Sequence, residues 1–281
     1  MFTGYRQDDS ILVDLAAALA SEGVNAFRFD FAGNGESEGV FQYGNYRKEA
    51  DDLRSVVSYF SEQKYDIIAL VGHSKGSSSD SPFPTFLLQM GKNSSFISIR
   101  ALPQSLIVLF FSWSATGFDY PDMLFCRGNA VLLSASMYHN VASIVNISGR
   151  FALEQGIDGR LGKNFMKRIK KDGYIDVRNK KGKFEYRVTE ESLGDRLSTD
   201  TLLSSRSISK DCRVLTIHGS KDETVPARDA LMFAANIPNH ELHIIAGANH
   251  RYTGHEQELT SLVLDFIKSR HRIPSPLRPK L

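Results

Sequence analysis

A serine in a glycine-framed motif is the strongest chemical signal in the chain. Ser74 is the centre of G-H-S-K-G at 72–76, a G-x-S-x-G motif that directly follows the apolar run at 66–71. A serine hydroxyl becomes a nucleophile when it projects from a sharp strand-to-helix turn towards a base, and the flanking glycines let the backbone make that turn. The motif after a predicted strand therefore indicates a nucleophile at Ser74.

An acid and a base follow later in the chain, each just after a predicted strand. Asp222 lies in a turn after the strand pattern that begins at 213, and His250 lies in a loop after the pattern at 241–245. Open α/β sheets place their sites beyond the carboxyl ends of such strands. In this interpretation His250 takes the proton of Ser74, while Asp222 holds the imidazole in the required tautomer.

Each of these two residues also has a purely structural alternative. An aspartate after a strand is most often a turn former, and a histidine in a Gly/Asn loop is most often a surface residue. Their joint order and position favour the catalytic interpretation, with Glu223 as the nearest rival acid. Of the other histidines, His73 is interpreted as part of the turn around Ser74 and His218 as a strand-end residue.

Alternating helical and strand periodicities predict the scaffold for this set. A mostly parallel sheet with helices on both faces follows from the alternation. The predicted helices lie at 9–21, 46–60 and 129–139, with a last one closing at 267. The predicted strands lie at 25–31, 66–71, 143–147, from 213 and at 241–245.

Together these motifs resemble the α/β-hydrolase superfamily. The chain is most similar to the branch of feruloyl-esterase-like and serine aminopeptidase-type serine hydrolases. The matching segments are 2–4, 27–37, 72–76, 218–226 and 247–250. The resemblance implies the α/β-hydrolase fold, a catalytic triad of Ser74, Asp222 and His250, a small-molecule acyl substrate, and neither cofactor nor metal.

The resemblance also implies two oxyanion donors and a difference at the start of the chain. The donors are the backbone N–H groups of Lys75 and Phe2. Met1 stands where the superfamily has the glycine of its oxyanion loop. We therefore expect the chain to begin inside that loop, with the opening strands of the fold missing.

A second difference interrupts the motif itself. The 51 residues from 77 to 127 separate G-H-S-K-G from the helix that should follow it, and they hold four of the nine prolines but only six charged residues. Our hypothesis is that this insert is translated intron, loosely packed and without a core of its own. We then expect weak or no ester turnover, and partial recovery when 77–127 is deleted, because the turn around Ser74 would be poorly held.

The alternation of strands and helices stops between 149 and 209. This segment contains a basic helix at 165–171 and a hairpin pattern around Asn179–Gly182. The resemblance implies a lid here. Its lysines and arginines either attract an anionic substrate or surface, or form a solvated face, which is the more common case. The hydrolase domain is thus expected at 1–267, with a basic, proline-containing tail at 268–281.

Composition excludes several classes of protein. The 281 residues carry a net charge of +2, which gives no reason to expect nucleic acid. The two cysteines, Cys126 and Cys212, have neither disulfide-framework nor metal-site spacing, and no apolar run approaches the roughly 20 residues of a membrane span. A cytoplasmic location is expected, and the sequence does not set the oligomeric state.

Three functions follow as hypotheses. The first is a serine hydrolase that cleaves an ester, thioester or amide through an acyl-enzyme. The second is a catalytically impaired variant, in which the insert and the broken oxyanion loop abolish turnover. The third is a ligand-binding protein built on the same fold.

Overall fold

A computed structural model describes residues 10–29, 31–34, 37–73, 107–111, 127–179 and 181–269. Within these ranges a six-stranded sheet has the order β1-β3-β2-β4-β7-β8, and a separate hairpin is formed by β5 and β6. The strands are β1 (Asn25–Phe29), β2 (Ile67–His73), β3 (Ile107–Phe111), β4 (Ser143–Ile147), β5 (Tyr174–Arg178), β6 (Phe184–Thr189), β7 (Arg213–Gly219) and β8 (His240–Ile245).

Helices surround this sheet. They are α1 (Ser10–Ser21), α2 (Tyr46–Glu62), α3 (Arg127–Tyr138), α4 (Asp158–Leu161), α5 (Phe165–Asp172), α6 (Glu190–Ser198), α7 (Thr201–Ser207), α8 (Arg228–Asn236) and α9 (Glu256–Ser269). All neighbouring strands of the six-stranded sheet run parallel. The fold class predicted from the sequence is therefore confirmed.

The sheet is buried on both faces. Every residue of β2 and β4 is buried, as expected for interior parallel strands covered by helices on either side. On one face the apolar stripes of α1 and α9 meet the sheet, with Leu15 and Val263 fully buried. On the other face α2, α3 and α8 pack through side chains that include Leu53 and Phe233. Each layer covers one apolar face of the sheet, which gives the helix–sheet–helix arrangement.

The insert contributes a strand to the middle of the sheet, which corrects one prediction from the sequence. The backbone of β3 pairs in parallel with β1 through Asn25↔Ile107 to Phe29↔Phe111, and with β2 through Ile67↔Ile107 to Gly72↔Phe111. The expectation that all of 77–127 stays outside the core is thus wrong for 107–111, and Arg127 already belongs to α3. The apolar sequence Ile-Val-Leu-Phe-Phe is typical of an interior strand of a parallel sheet. Residues 77–106 and 112–126 lie outside the described residues.

A proline in β3 tests this placement. Since β3 has a hydrogen-bonded neighbour on each side, Leu109→Pro removes an N–H from the interior of the sheet, and we expect it to lower the free energy of unfolding by about 3 kcal/mol or more. Leu109→Ile keeps the N–H and serves as the control. Urea denaturation measures both variants. Equal stability of the two would mean that 107–111 is not an interior strand.

Between β4 and β7 the chain leaves the sheet. This excursion, residues 149–209, contains α4 to α7 and the β5–β6 hairpin. The hairpin turn closes where Asn179 Oδ1 accepts hydrogen bonds from the N–H groups of Lys181 and Lys183, both 3.0 Å. A separate apolar cluster, which includes Ile169 and Val188, holds the excursion together. That the excursion acts as a lid stays a prediction.

No helix in the described ranges is long and apolar enough to cross a membrane. Of the tail expected at 268–281, residues 270–281 lie outside the description.

Candidate active site

Three strand ends bring the predicted site to one edge of the sheet. The strands β2, β7 and β8 are parallel members of one sheet, so their carboxyl ends lie at the same edge. Asp222 follows the end of β7 by three residues, and His250 follows the end of β8 by five. His73 is the last residue of β2. The topology alone therefore places Asp222, His250 and the residue before Ser74 near one another.

The side chain of Asp222 is buried, and both of its oxygens have polar partners. Its Oδ1 accepts hydrogen bonds from the backbone N–H groups of Thr224 (2.8 Å) and Val225 (2.7 Å), which fix the turn. Its Oδ2 faces two imidazoles, His250 Nδ1 at 2.7 Å and His218 Nε2 at 3.2 Å, and its side chain has no exposed surface. Burial by itself would raise the pKa of Asp222, but the hydrogen bonds from His218 and His250 hold that pKa well below its usual range. The carboxylate is therefore ionised.

His250 has one ring nitrogen engaged and the other open. Its Nδ1 donates to Asp222 Oδ2, and its backbone N–H donates to Glu223 Oε2 at 3.2 Å. The residue is only 1% exposed, and in the described part of the chain its Nε2 has no hydrogen-bond partner. With the Nδ1 proton held by the carboxylate, Nε2 carries a lone pair and can accept a proton. Asp222 rather than Glu223 thus contacts the imidazole.

A hydrogen bond from the Tyr252 side chain holds the loop that carries His250 against β7. Tyr252 is fully buried in a left-handed backbone conformation (φ 55°), and its hydroxyl donates to Ile217 O at 3.0 Å. The same hydroxyl contacts Ser148 Oγ at 2.8 Å. Burial raises the pKa of Tyr252 above its usual range, so the phenol stays protonated and keeps its donor. Tyr252 therefore fixes the loop relative to two strand ends.

Gly219 allows the same loop to approach β7 closely. A Cβ at Gly219 would lie 2.4 Å from the carbonyl oxygen of Ala248 and 2.8 Å from that of Asn249, both of which are backbone atoms. No side chain fits this space without displacing the chain that leads into His250. The glycine is thus required by the approach of two backbones.

Gly219→Ala should consequently damage the site. We expect a loss of about 1–3 kcal/mol in the free energy of unfolding, in the range of an overpacked core, and a larger loss of His250-dependent reactivity. Gly194→Ala is the matched control, because its added Cβ meets nothing within 4 Å and alanine favours the helix. Thermal unfolding and serine labelling of both variants check this. A Gly219→Ala variant as stable and reactive as the control would contradict the packing argument.

Two further histidines belong to the site, and the sequence reasoning missed both. His218 is fully buried and its Nε2 donates to Val225 O at 2.9 Å as well as facing Asp222. The Nε2 of His73 donates to the carbonyl oxygen of His250 at 3.2 Å, and the two rings lie 5.6 Å apart. The feature of the sequence that could have revealed them was a polar residue within an otherwise apolar strand pattern.

His73 is held neutral. Burial, followed by the nearby charge of His250, lowers the pKa of His73 to about 3. A second positive charge beside His250 would oppose its protonation, so the neutral form of His73 leaves His250 free to accept a proton.

The described residues bring together Asp222 and His250 of the predicted set. Ser74 and both predicted oxyanion donors, Lys75 and Phe2, lie outside the described residues. In the ranges that the structure covers, no group of three or more His, Cys, Asp or Glu side chains is placed to hold a metal ion.

Comparison with known proteins identifies the fold. No protein-family model and no curated protein matches the chain. The chain is similar to Est1E from Butyrivibrio proteoclasticus with ferulic acid bound, with a TM-score of 0.63 at 18% identity over 96% of this chain and 86% of that one. It is also similar to mouse alpha/beta hydrolase domain-containing protein 10, with a TM-score of 0.56 at 18% identity over 96% and 87%.

A putative hydrolase from Agrobacterium vitis S4 gives a TM-score of 0.61 at 18% identity, over 94% of this chain and 85% of that one. The parallel sheet, its helical layers and these similarities together define an α/β-hydrolase fold. A fold of this kind hosts many activities, so the function has to be argued from the site.

Proposed function

We propose that the protein is a serine hydrolase that cleaves an ester, thioester or amide bond of a small molecule through Ser74, His250 and Asp222. The observation that carries this is the buried Asp222–His250 pair, whose open Nε2 lies at the edge of the sheet where β2 ends. A carboxylate that fixes one imidazole nitrogen and leaves the other as a base is the arrangement that activates a nucleophile.

Covalent geometry supports Ser74 as that nucleophile. Consecutive Cα atoms are about 3.8 Å apart, so Ser74 is directly tied to His73. The imidazole of His73 hydrogen-bonds to the backbone of His250. Ser74 is thus the first residue beyond β2, next to a side chain that contacts the base. The G-x-S-x-G motif and this position agree.

The reaction then proceeds in two halves. His250 Nε2 takes the proton of Ser74 as the hydroxyl oxygen attacks the acyl carbon, and the imidazolium is stabilised by Asp222. The same proton passes to the leaving group, which departs as the alcohol, thiol or amine. Water, activated by His250, releases the acid from Ser74 and restores the serine. The N–H groups of Lys75 and Phe2 are proposed to stabilise the oxyanion.

The position of the excursion and one similar structure indicate the substrate class. The excursion at 149–209 lies between two strands that end at the site edge, so we assign to it the lid that shapes the acyl or alcohol pocket. Est1E, one of the similar structures, binds ferulic acid, which favours an ester of an aromatic or similarly small acid.

Cys212 is a free, buried thiol, which suits the reducing cytoplasm.

A fluorophosphonate probe tests the proposal, because it reacts only with an activated serine. We expect covalent labelling of the 281-residue chain at Ser74, located by peptide mass spectrometry. Ser74→Ala and His250→Gln should both abolish it, whereas Ser207→Ala, a change in the exposed helix α7, should not.

Two outcomes would contradict the proposal. Labelling that persists in His250→Gln would remove the assigned base. A folded chain that is not labelled at all would favour the catalytically impaired alternative.

A further inference from the structure

We propose that a recess formed by Arg150, Arg160 and Arg196 binds a carboxylate group carried by the substrate. That the bound carboxylate belongs to a substrate rests on the proposed function. The recess itself is defined by contacts within the chain alone. Tyr43, Gln155 and Gly156 complete its lining. The inference therefore names a chemical class of substrate, an acyl compound with a second, free carboxylate.

The recess lies within the excursion, with Tyr43 contributed from outside 149–209. Arg150 follows the end of β4 by three residues, Arg160 lies in α4, and Arg196 lies in α6. The Nη2 of Arg150 donates to the carbonyl oxygen of Thr224, and the N–H of Thr224 donates to Asp222 Oδ1 at 2.8 Å. One wall of the recess is thus joined through a single residue to the carboxylate that orients His250.

Arg150 and Arg160 have no carboxylate within ion-pair distance among the described residues. Arg150 is only 5% exposed, yet it has no ion pair in the described part of the chain, and Arg160 is half-buried without an ion pair there. By contrast, the arginine–carboxylate pairs Arg47–Asp195 and Arg187–Asp176 lie in more exposed positions. A buried guanidinium without a counter-charge is costly, and an anion that enters the recess would remove that cost.

A structural role explains only one of the three arginines fully. Arg196 Nε donates to Leu153 O at 2.8 Å, and its guanidinium lies over the Tyr43 ring at 5.1 Å, so Arg196 joins α6 to the rest of the protein. Arg150 makes one side-chain hydrogen bond to a backbone oxygen, and no side-chain hydrogen bond of Arg160 exists among the described residues. Guanidinium groups carry five donors each, so most of the donors of Arg150 and Arg160 stay available to an anion.

The geometry of the guanidinium groups favours a carboxylate. The enclosed part of the recess has room for roughly one water-sized group beside its lining atoms, so an anion would place a single oxygen there and stay at the mouth of the recess. A planar carboxylate matches the planar guanidinium fork at such a mouth. The recess therefore suits the carboxylate end of a substrate.

Binding of succinate, with succinamide as the neutral counterpart, tests the recess independently of catalysis. Isothermal titration calorimetry on the 281-residue chain should show succinate binding and no binding of succinamide. Arg160→Gln should weaken succinate binding at least about tenfold, in line with the loss of a charge-assisted hydrogen bond. Arg150→Gln should do the same. Arg178→Gln, which removes the same charge from the hairpin, should leave the affinity within about twofold.

Hydrolysis of two esters then tests the substrate assignment. Mono-4-nitrophenyl succinate should have a higher kcat/KM than 4-nitrophenyl butyrate, and Arg160→Gln should reduce that preference about tenfold or more while sparing the butyrate. Succinate binding that is absent, or unchanged in both arginine variants, overturns the recess. Binding that behaves as expected without hydrolysis of either ester upholds the recess and refutes the serine hydrolase. Hydrolysis of both esters without any preference refutes the carboxylate-bearing substrate.

Discussion

Asp222→Asn should slow labelling of Ser74 by a fluorophosphonate about 10⁴-fold, the size of loss expected when the base is held in the wrong tautomer. The Oδ2 of Asp222 accepts from His250 Nδ1 and lies 3.2 Å from His218 Nε2, while Oδ1 accepts two backbone N–H groups. An asparagine that keeps its oxygen towards the two N–H groups must turn its NH₂ towards the imidazoles. His250 then has to accept at Nδ1 and carry its proton on Nε2, where it cannot act as a base.

Glu223→Gln is the matched control for this prediction. Glu223 is the neighbouring acid, and its contact with His250 is to the backbone N–H at 3.2 Å rather than to the ring. The amide oxygen of glutamine can accept that bond, so we expect a loss of less than about tenfold. Labelling rates are compared only among variants that unfold at similar urea concentrations. An Asp222→Asn variant that is labelled as fast as Glu223→Gln would mean that Asp222 is not the orienting acid.

Most of the fold could be predicted because its strands are short apolar runs that end at turns. The strand at 143–147 was predicted with the bounds that β4 has, and the helix at 46–60 extends only two residues further. Burial on both faces leaves such strands uniformly apolar, and this pattern needs no knowledge of the partners. Local periodicity was therefore sufficient for five of the six strands of the sheet and for the helices α1, α2, α3 and α9 that cover it.

The sequence did not predict β3, because its evidence is non-local. Residues 107–111 pair with 25–29 and 67–72, which lie far away in the chain, and the surrounding prolines and low charge indicated an unstructured insert. Parallel pairing leaves no turn signal between its strands, since they are joined by long crossovers. An apolar pentapeptide alone does not reveal which strands it pairs with.

The candidate site, like the fold, could be predicted from the sequence only in part. Asp222 and His250 follow from chain order and strand ends, which the sequence contains. His218 does not, because its role depends on the turn that brings Asp222 Oδ2 within 3.2 Å of its ring. Likewise Arg150, Arg160 and Arg196 are distant from one another in the sequence of the excursion, and they share a recess only once the excursion has folded.

The free energy of unfolding should fall steeply with pH below about 6.5, chiefly because of buried neutral histidines. Burial lowers the pKa of His73 to about 3 and that of His240 to about 4. The unfolded chain takes up these protons near pH 6.5, whereas the folded chain does not, so protonation favours the unfolded state. The stabilisation is fully present above about pH 6.5 and is lost as the pH falls towards the folded-state values.

Each such group contributes about 1.4 kcal/mol per pH unit, so His73 alone should account for roughly 3 kcal/mol between pH 6.5 and 4. Asp222 acts in the same direction at lower pH, since its pKa is also held below the usual range and its stabilisation is lost on acidification.

Urea denaturation at several pH values measures the slope, and two variants assign it. His73→Gln keeps a donor for the His250 carbonyl oxygen but cannot titrate, so its free energy of unfolding should depend less on pH over the whole interval from about 6.5 down to 3. His240→Gln should flatten the curve only between about 6.5 and 4, because His240 takes up its proton in the folded state sooner. The pH below which the free energy of unfolding again has the same slope against pH as in the unmodified chain therefore differs between the two variants. It is about 3 for His73→Gln and about 4 for His240→Gln. If His73→Gln has the same pH slope as the unmodified chain between 6.5 and 4, His73 is charged in the folded protein, and the neutral neighbour that we assign to the base does not exist.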